Sequence, residues 1–216
     1  RTDLVYDSRN LLTTKTYTLA NGVAGPTLVK FWYDAIGRIV TAWNGDARVE
    51  RKWNTLSKLE QEKSWIMPTA ESGTGSTPRE VDYTYGSDGL VSMMEYPDNA
   101  VTVRRNYDAL KRTNKIEKKV GAGAFADVAT WTFQGPARPK YLEFGNGTKE
   151  TMTFDEYGRL TLMKHDRPSG ATRKTMYEFT RGYDPGSRPT FERRDYYDTT
   201  NGTILGGARD FGDQYY

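Results

Sequence analysis

Five acidic residues recur in one local setting: Asp7, Asp34, Asp108, Asp155 and Asp184 each directly follow an aromatic residue. Paired carboxylates are the acid and base of glycoside hydrolysis. These five are spread along the chain by a repeat, whereas an active site needs one constellation. A polysaccharide-acting enzyme is therefore the least favoured reading, and no catalytic residue is assigned. His165 is the sole histidine and stands beside Asp166, which invites an acid–base pair. Its place before a turn signal predicts a solvent-facing strand-end residue instead. One histidine without cysteine provides no His- or Cys-based metal site, and turns such as Tyr196-Tyr197-Asp198 lack the acidic spacing of an EF-hand loop. Neither metal nor cofactor is expected. Gly121-Ala122-Gly123-Ala124 lacks the strand-to-helix context and Lys-Ser/Thr of a phosphate loop and reads as a hairpin tip. Trp43, Trp65 and Trp131 are candidates for stacking on sugars, with stacking inside a sheet as the plainer alternative.

Composition narrows the classes. The 216 residues suffice for one large all-β domain or two small ones, long enough to bury a core. Hydrophobic residues make up only 36%, yet aromatics reach 13%, a balance that suits sheets with at least one wet face. Thirty-one basic and 28 acidic residues are interspersed, giving a net charge of +3 and no basic stripe for nucleic acid. The absence of cysteine rules out a disulfide framework and a thiol nucleophile. No apolar run approaches the roughly 20 residues of a membrane helix. The chain opens at Arg1-Thr2-Asp3 and stops at Tyr215-Tyr216 in mid-pattern. A segment of a larger protein is the expectation.

The elements that would position these residues are set by repetition. The aromatic of the motif falls at Tyr6, Tyr33, Trp53, Tyr85, Tyr107, Phe133, Phe154 and Tyr183, with spacings of 27, 20, 32, 22, 26, 21 and 29 residues. Gly follows four residues after the aromatic at 37, 89 and 158, with Asn10 and Ser57 as substitutes. A cation comes next in most copies, as at Arg38, Lys58, Arg112, Arg138, Arg159 and Arg188. Between motifs lie second turn signals: Asn21-Gly22, Asn44-Gly45, Gly73-Thr74-Gly75, Pro97-Asp98-Asn99, Gly121-Ala122-Gly123, Asn146-Gly147, Ser169-Gly170 and Asn201-Gly202. The flanking stretches alternate apolar and polar, the period of strands. The pattern predicts an all-β fold: about sixteen short antiparallel strands in a meander of repeated β-hairpins, forming a long curled sheet. The loop Thr69–Pro78 is expected to project at a rim.

The motif makes sense as a corner. Asp accepts backbone N–H groups in an Asx-turn, and Gly supplies a left-handed angle. The aromatic is expected to stack on its counterpart in the next copy, and the Arg to pair with the Asp or cover a ring. Tyr33, Asp34, Gly37 and Arg38, with Phe154, Asp155, Gly158 and Arg159, are the strongest corners, followed by Tyr107-Asp108 and Tyr183-Asp184.

Tyr33-Asp34-Ala35-Ile36-Gly37-Arg38-Ile39 and Phe154-Asp155-Glu156-Tyr157-Gly158-Arg159-Leu160 resemble the YD repeat of the RHS family. The resemblance runs over residues 1–216 with about eight repeats, read as a single repeat segment. That family includes bacterial polymorphic toxins, cocoon subunits of insecticidal toxin complexes, and teneurins. The resemblance implies a hairpin strip wound into a hollow shell or barrel, without enzymatic activity of its own. In the toxin members the shell encloses a C-terminal toxic domain, so the implied partners are that cargo and neighbouring repeats. The implied location is secreted or extracellular. The alternative is a repeat module binding glycans or a cell-surface protein. The family's cleavage motif is not matched by Tyr183-Asp184-Pro185-Gly186, which sits in phase as a corner.

Overall fold

Alternating side chains and β-branched residues commit this chain to strands, and positive-φ residues turn it back at short intervals. The computed structural model describes residues 1–18, 28–66 and 77–198. The Asn21-Gly22, Gly73-Thr74-Gly75 and Asn201-Gly202 turns, and most of the Thr69–Pro78 loop, lie outside the described residues. The first eight strands are β1 Thr2–Tyr6, β2 Leu12–Tyr17, β3 Val29–Tyr33, β4 Ile39–Trp43, β5 Ala47–Trp53, β6 Leu59–Ile66, β7 Arg79–Tyr85 and β8 Val91–Glu95. The next eight are β9 Val101–Tyr107, β10 Thr113–Val120, β11 Ala126–Gln134, β12 Arg138–Phe144, β13 Lys149–Phe154, β14 Leu160–Ser169, β15 Thr172–Tyr183 and β16 Pro189–Tyr196. The expected antiparallel meander is what the structure contains: strand order follows chain order from β1 to β16. The only helical element among the described residues is a 3-10 turn at Pro97–Asn99.

The chain divides into two units, Arg1–Arg104 with Lys119–Gly123, and Arg105–Lys118 with Ala124–Tyr216. Four corners fall in each.

Register is set at the corners. Tyr33 lies opposite Ile39, Trp53 opposite Leu59, Tyr85 opposite Val91, Phe154 opposite Leu160 and Tyr183 opposite Pro189. In each pair the register shifts immediately before the aromatic. Such a bulge bends its strand and increases the local twist. The other strand ends close by tighter turns. At Asn44-Gly45 the Asn44 side chain accepts the Ala47 N–H at 2.8 Å, and Gly45 has φ of +71°. Gly121 has φ of +53°, and the Gly123 N–H donates to the Val120 carbonyl at 3.0 Å, so this glycine-rich stretch is a hairpin tip.

A conventional core is absent among the described residues, which corrects the expectation drawn from length. Only Trp65, Ala129 and Phe179 are buried apolar residues, and Thr102, Glu117, Asp166 and Asp195 are buried polar ones. Within each unit the strands pair only with their sequence neighbours, so among the described residues no second layer covers a face. Side chains are instead half-buried against cross-strand partners. Lys63 pairs with Glu80 at 2.9 Å, Lys149 with Glu143 at 2.7 Å and Arg51 with Glu62 at 2.8 Å. The buried Glu117 carboxylate accepts the Asn106 amide at 2.7 Å, and Asp195 accepts Arg193 Nε.

Candidate functional site

The corner closes through its own carboxylate. The Asp34 N–H donates to the Arg38 carbonyl at 2.9 Å, and the Gly37 N–H returns to the Asp34 carbonyl at 3.2 Å. Asp34 Oδ1 accepts the N–H groups of Ile36 and Arg38 at 3.0 and 2.9 Å, while Oδ2 accepts Arg38 Nε at 2.6 Å. Asp108 with Leu110 and Arg112, and Asp155 with Tyr157 and Arg159, repeat every one of these bonds. In Asp108 the Arg112 guanidinium leads in holding the carboxyl below its ordinary value. For Asp34 and Asp155 burial pushes upward, and the backbone N–H and guanidinium of Arg38 and Arg159 outweigh it, so both are lowered. Asp7 is lowered chiefly by the Leu11 N–H.

The other copies show which parts are replaceable. Asn54 keeps the two backbone bonds, to Leu56 and Lys58, without a charge. Gly86 has no side chain to cap, and Asp88 takes the Leu90 N–H at 3.0 Å instead. Asp184 accepts the Arg188 N–H at 2.8 Å, in phase with the other corners. The left-handed position is held by Asn10, Gly37, Ser57, Gly89, Lys111, Gly158 and Ser187. Lys111 and Ser187 were not recognised in sequence, and only their phase marks them. Phe133-Gln134 departs from the pattern: Gln134 stays in the ladder opposite Arg138, leaving a three-residue loop around Gly135.

Within the units, four successive pairs of corners are linked in both directions. Forward, Arg9 Nη1 reaches the Asp34 carbonyl at 2.8 Å, Lys58 Nζ the Gly89 carbonyl at 2.6 Å and Arg112 Nη1 the Gly135 carbonyl at 2.7 Å. Arg38 Nη1 meets Asn54 O and Ser57 Oγ, and Arg159 Nη1 meets Asp184 O and Ser187 Oγ. Backward, Tyr33, Tyr85 and Tyr183 hydroxyls donate to the carbonyls of Leu12, Leu59 and Leu160 at 2.7, 2.7 and 3.0 Å. Trp53 Nε1 donates to the Ile39 carbonyl at 2.9 Å.

Ring-on-ring stacking between corners was the sequence expectation; the corner rings are covered by cations. Arg38 lies 5.6 Å over Trp53, Lys58 5.1 Å over Tyr85, Arg112 4.0 Å over Phe133, Arg138 5.7 Å over Phe154 and Arg159 4.6 Å over Tyr183. The reason is spacing. Corners on one edge are two strands apart, about 10 Å, beyond the reach of paired rings, and a long cationic side chain spans the gap. Tyr107 ends β9 at the start of its corner.

The remaining candidates are dispersed. Trp65 is buried beneath Arg48, whose guanidinium lies 5.6 Å from its ring, so it offers no free face to a sugar. Trp43 is covered by Lys30 at 5.7 Å, and Trp131 faces Leu142 across the β11–β12 pair in the other unit. His165 is not at a strand end: it lies within β14, and its Nε2 is 3.0 Å from Glu150 of β13. Asp166 is buried and opposite Lys149, on the other face of the same strand. The two neighbours therefore make no dyad. In unit one a cavity of about 530 Å³ lies between two corners, lined by Leu56, Lys58, Tyr85 and Asp88 among others.

No protein-family model and no curated protein matches the chain. Among solved structures it is similar to TcdB2-TccC3-Cdc42, with a TM-score of 0.74 and 14% identity. It is also similar to TcdB2-TccC3 without the hypervariable C-terminal region, at 0.75 and 13%, and to a Photorhabdus luminescens Tc holotoxin pore, at 0.72 and 15%. Each match covers 92% of this chain and 10% of the other, so the chain spans about a tenth of the length of those proteins. At this identity the likeness is one of fold: a toxin-complex component contains a strip of hairpins built like this one.

Proposed function

We propose that the chain is a non-enzymatic wall segment of an RHS/YD-repeat shell that encloses a toxin-like cargo domain in a secreted bacterial protein. The observation that carries this reading is the two-way ladder between corners. Within each unit a cation ties each corner forward to the next, and Tyr33, Trp53, Tyr85 and Tyr183 also reach back, so stability comes from repetition and not from a central core. A wall needs that property, because it must be one layer thick and still hold its register. Its polar cross-strand pairs, such as Lys63 with Glu80 and Lys149 with Glu143, keep a face wettable without an apolar core. The RHS resemblance of the motif and the fold shared with TcdB2-TccC3 agree in kind. The carboxylates that would serve an enzyme are occupied in closing corners. The proposed partners are a C-terminal cargo domain and flanking repeats of the longer protein. Single-particle imaging of that longer protein, with protease challenge of its C-terminal domain, tests the proposal. A hollow particle with a protected domain is expected; a solid globule or an open rod overturns it.

A further inference from the structure

Four Asn-Gly pairs occur in the chain, at 21–22, 44–45, 146–147 and 201–202. The first and last lie outside the described residues. The other two are hairpin tips with a left-handed glycine, Gly45 at φ of +71° and Gly147 at +83°. Both asparagines are held through the side-chain oxygen. Asn44 Oδ1 accepts the Ala47 N–H at 2.8 Å, and Asn146 Oδ1 accepts the Thr148 N–H at 2.9 Å and its hydroxyl at 2.7 Å.

The glycines differ. The Gly147 N–H donates to the Phe144 carbonyl at 2.8 Å, and the Gly147 carbonyl accepts Arg173 Nη1 at 2.8 Å. Pro168 packs so closely on the same residue that a Cβ there would lie 2.6 Å from its Cγ. Gly45 is exposed, and its N–H has no hydrogen-bond partner among the described residues. The bonds of that tip bypass it: the Asn44 N–H donates to the Ala47 carbonyl at 3.0 Å, and the Asp46 N–H to the Asn44 carbonyl at 2.7 Å. A Cβ on Gly45 would meet only Trp43, at 3.9 Å.

We propose that Asn44 is a site of spontaneous deamidation in the folded chain, and that the fold shields Asn146 from the same reaction. The Gly45 nitrogen gives its proton to a solvent base and attacks Asn44 Cγ, unhindered by a side chain on the glycine. The N–Cγ bond forms, the Cγ–Nδ2 bond breaks, and Nδ2 leaves as ammonia with a proton from water. Water then opens the cyclic imide. Addition at Cγ gives aspartate; addition at the main-chain carbonyl carbon gives isoaspartate. At Gly147 the proton that must leave is held by a carbonyl, and the peptide must part from Phe144, Arg173 and Pro168 before it can turn. Isoaspartate at 44 adds a methylene to the main chain in the tip that sets Trp43 opposite Arg48. Either product adds a negative charge two residues from Asp46. This chemistry does not depend on enclosure of a cargo.

Peptide mapping by mass spectrometry of the chain held at mildly alkaline pH, with and without urea, tests it. In the folded chain Asn44 is expected to convert roughly tenfold faster than Asn146 or more, because reaction at Asn146 first breaks the hydrogen bonds of Gly147. In urea the two rates are expected to converge, since both sites are Asn-Gly. A folded chain in which Asn44 stays intact, or in which Asn146 keeps pace with it, overturns the proposal. So does a ratio that persists in urea, which would assign the difference to sequence neighbours and not to the fold. Separation of the products gives a further check. Isoaspartyl and aspartyl peptides together at 44 are expected from the imide; aspartate alone means direct hydrolysis and overturns attack by Gly45.

Discussion

Arg38 of one corner lies 5.6 Å over the Trp53 ring of the next, while Trp53 Nε1 donates back to the Ile39 carbonyl at 2.9 Å. This exchange between neighbouring corners does what a hydrophobic core does elsewhere. It ties residues two strands apart, and it recurs with other residue types at Lys58–Tyr85 and Arg159–Tyr183.

The backward bonds are expected to be individually modest. Tyr85→Phe removes the hydroxyl that donates to the Leu59 carbonyl at 2.7 Å and leaves the ring under Lys58. A net cost of about 1 kcal/mol follows from losing one half-buried hydrogen bond. Urea unfolding of Tyr85→Phe and Tyr183→Phe measures it. A midpoint unchanged in both variants contradicts the ladder.

Glycine in the corner is expected to matter for space as well as for φ. Gly158 has φ of +78°, and a Cβ there would collide with the Arg138 guanidinium. Gly170 has φ of +60° with nothing within 4 Å. The left-handed angle alone costs about 1–2 kcal/mol for an alanine. Gly158→Ala should therefore lose more stability than Gly170→Ala, and Arg138→Ala should narrow the difference. Equal losses would mean that the cation does not pack on the glycine.

Much of this was legible in sequence, for identifiable reasons. The Asp34 and Asp155 corners were readable because the carboxylate, the left-handed residue and the cation lie within five residues and act locally. The hairpin at Asn44-Gly45 was readable for the same reason. The cation-over-next-ring contact was not, because it depends on the distance between strands whose contacting residues, from Arg38–Trp53 to Lys58–Tyr85, are 15 to 27 positions apart in sequence. The missing core was not readable either. Alternation announces two faces but not whether anything covers them. His165 was misplaced because β14 runs on to Ser169, past the residue taken as its end.

Trp65 is expected to act as structure. It is 8% exposed beneath Arg48, and truncating a buried tryptophan costs about 3–5 kcal/mol. Trp65→Ala should lower the urea midpoint far more than Trp131→Ala, which lies in a less buried setting. If both shift alike and by little, Trp65 is free to serve a ligand instead.

The corner carboxylates predict how the fold responds to acid. Asp7, Asp34, Asp108 and Asp155 all have folded-state pKa values below the ordinary 3.8. For a group lowered on folding, the unfolded chain binds the proton more tightly. The stabilisation is therefore complete above the unfolded value, and it is lost as pH falls from there through the lower folded value. Stability should be flat in this respect from neutrality down to about pH 5 and then decline steeply below about pH 4. Asn54 shows that an amide can replace the carboxylate while keeping its two backbone bonds. The triple variant Asp34→Asn, Asp108→Asn, Asp155→Asn should start less stable at neutral pH, because the Arg38, Arg112 and Arg159 pairings are weakened. Its stability should then fall less between pH 5 and pH 2 than that of the parent chain, since three protonations have been removed from the folded–unfolded balance. Thermal melts across that range read both slopes, and parallel curves for the two proteins would show that the corners do not carry the acid response.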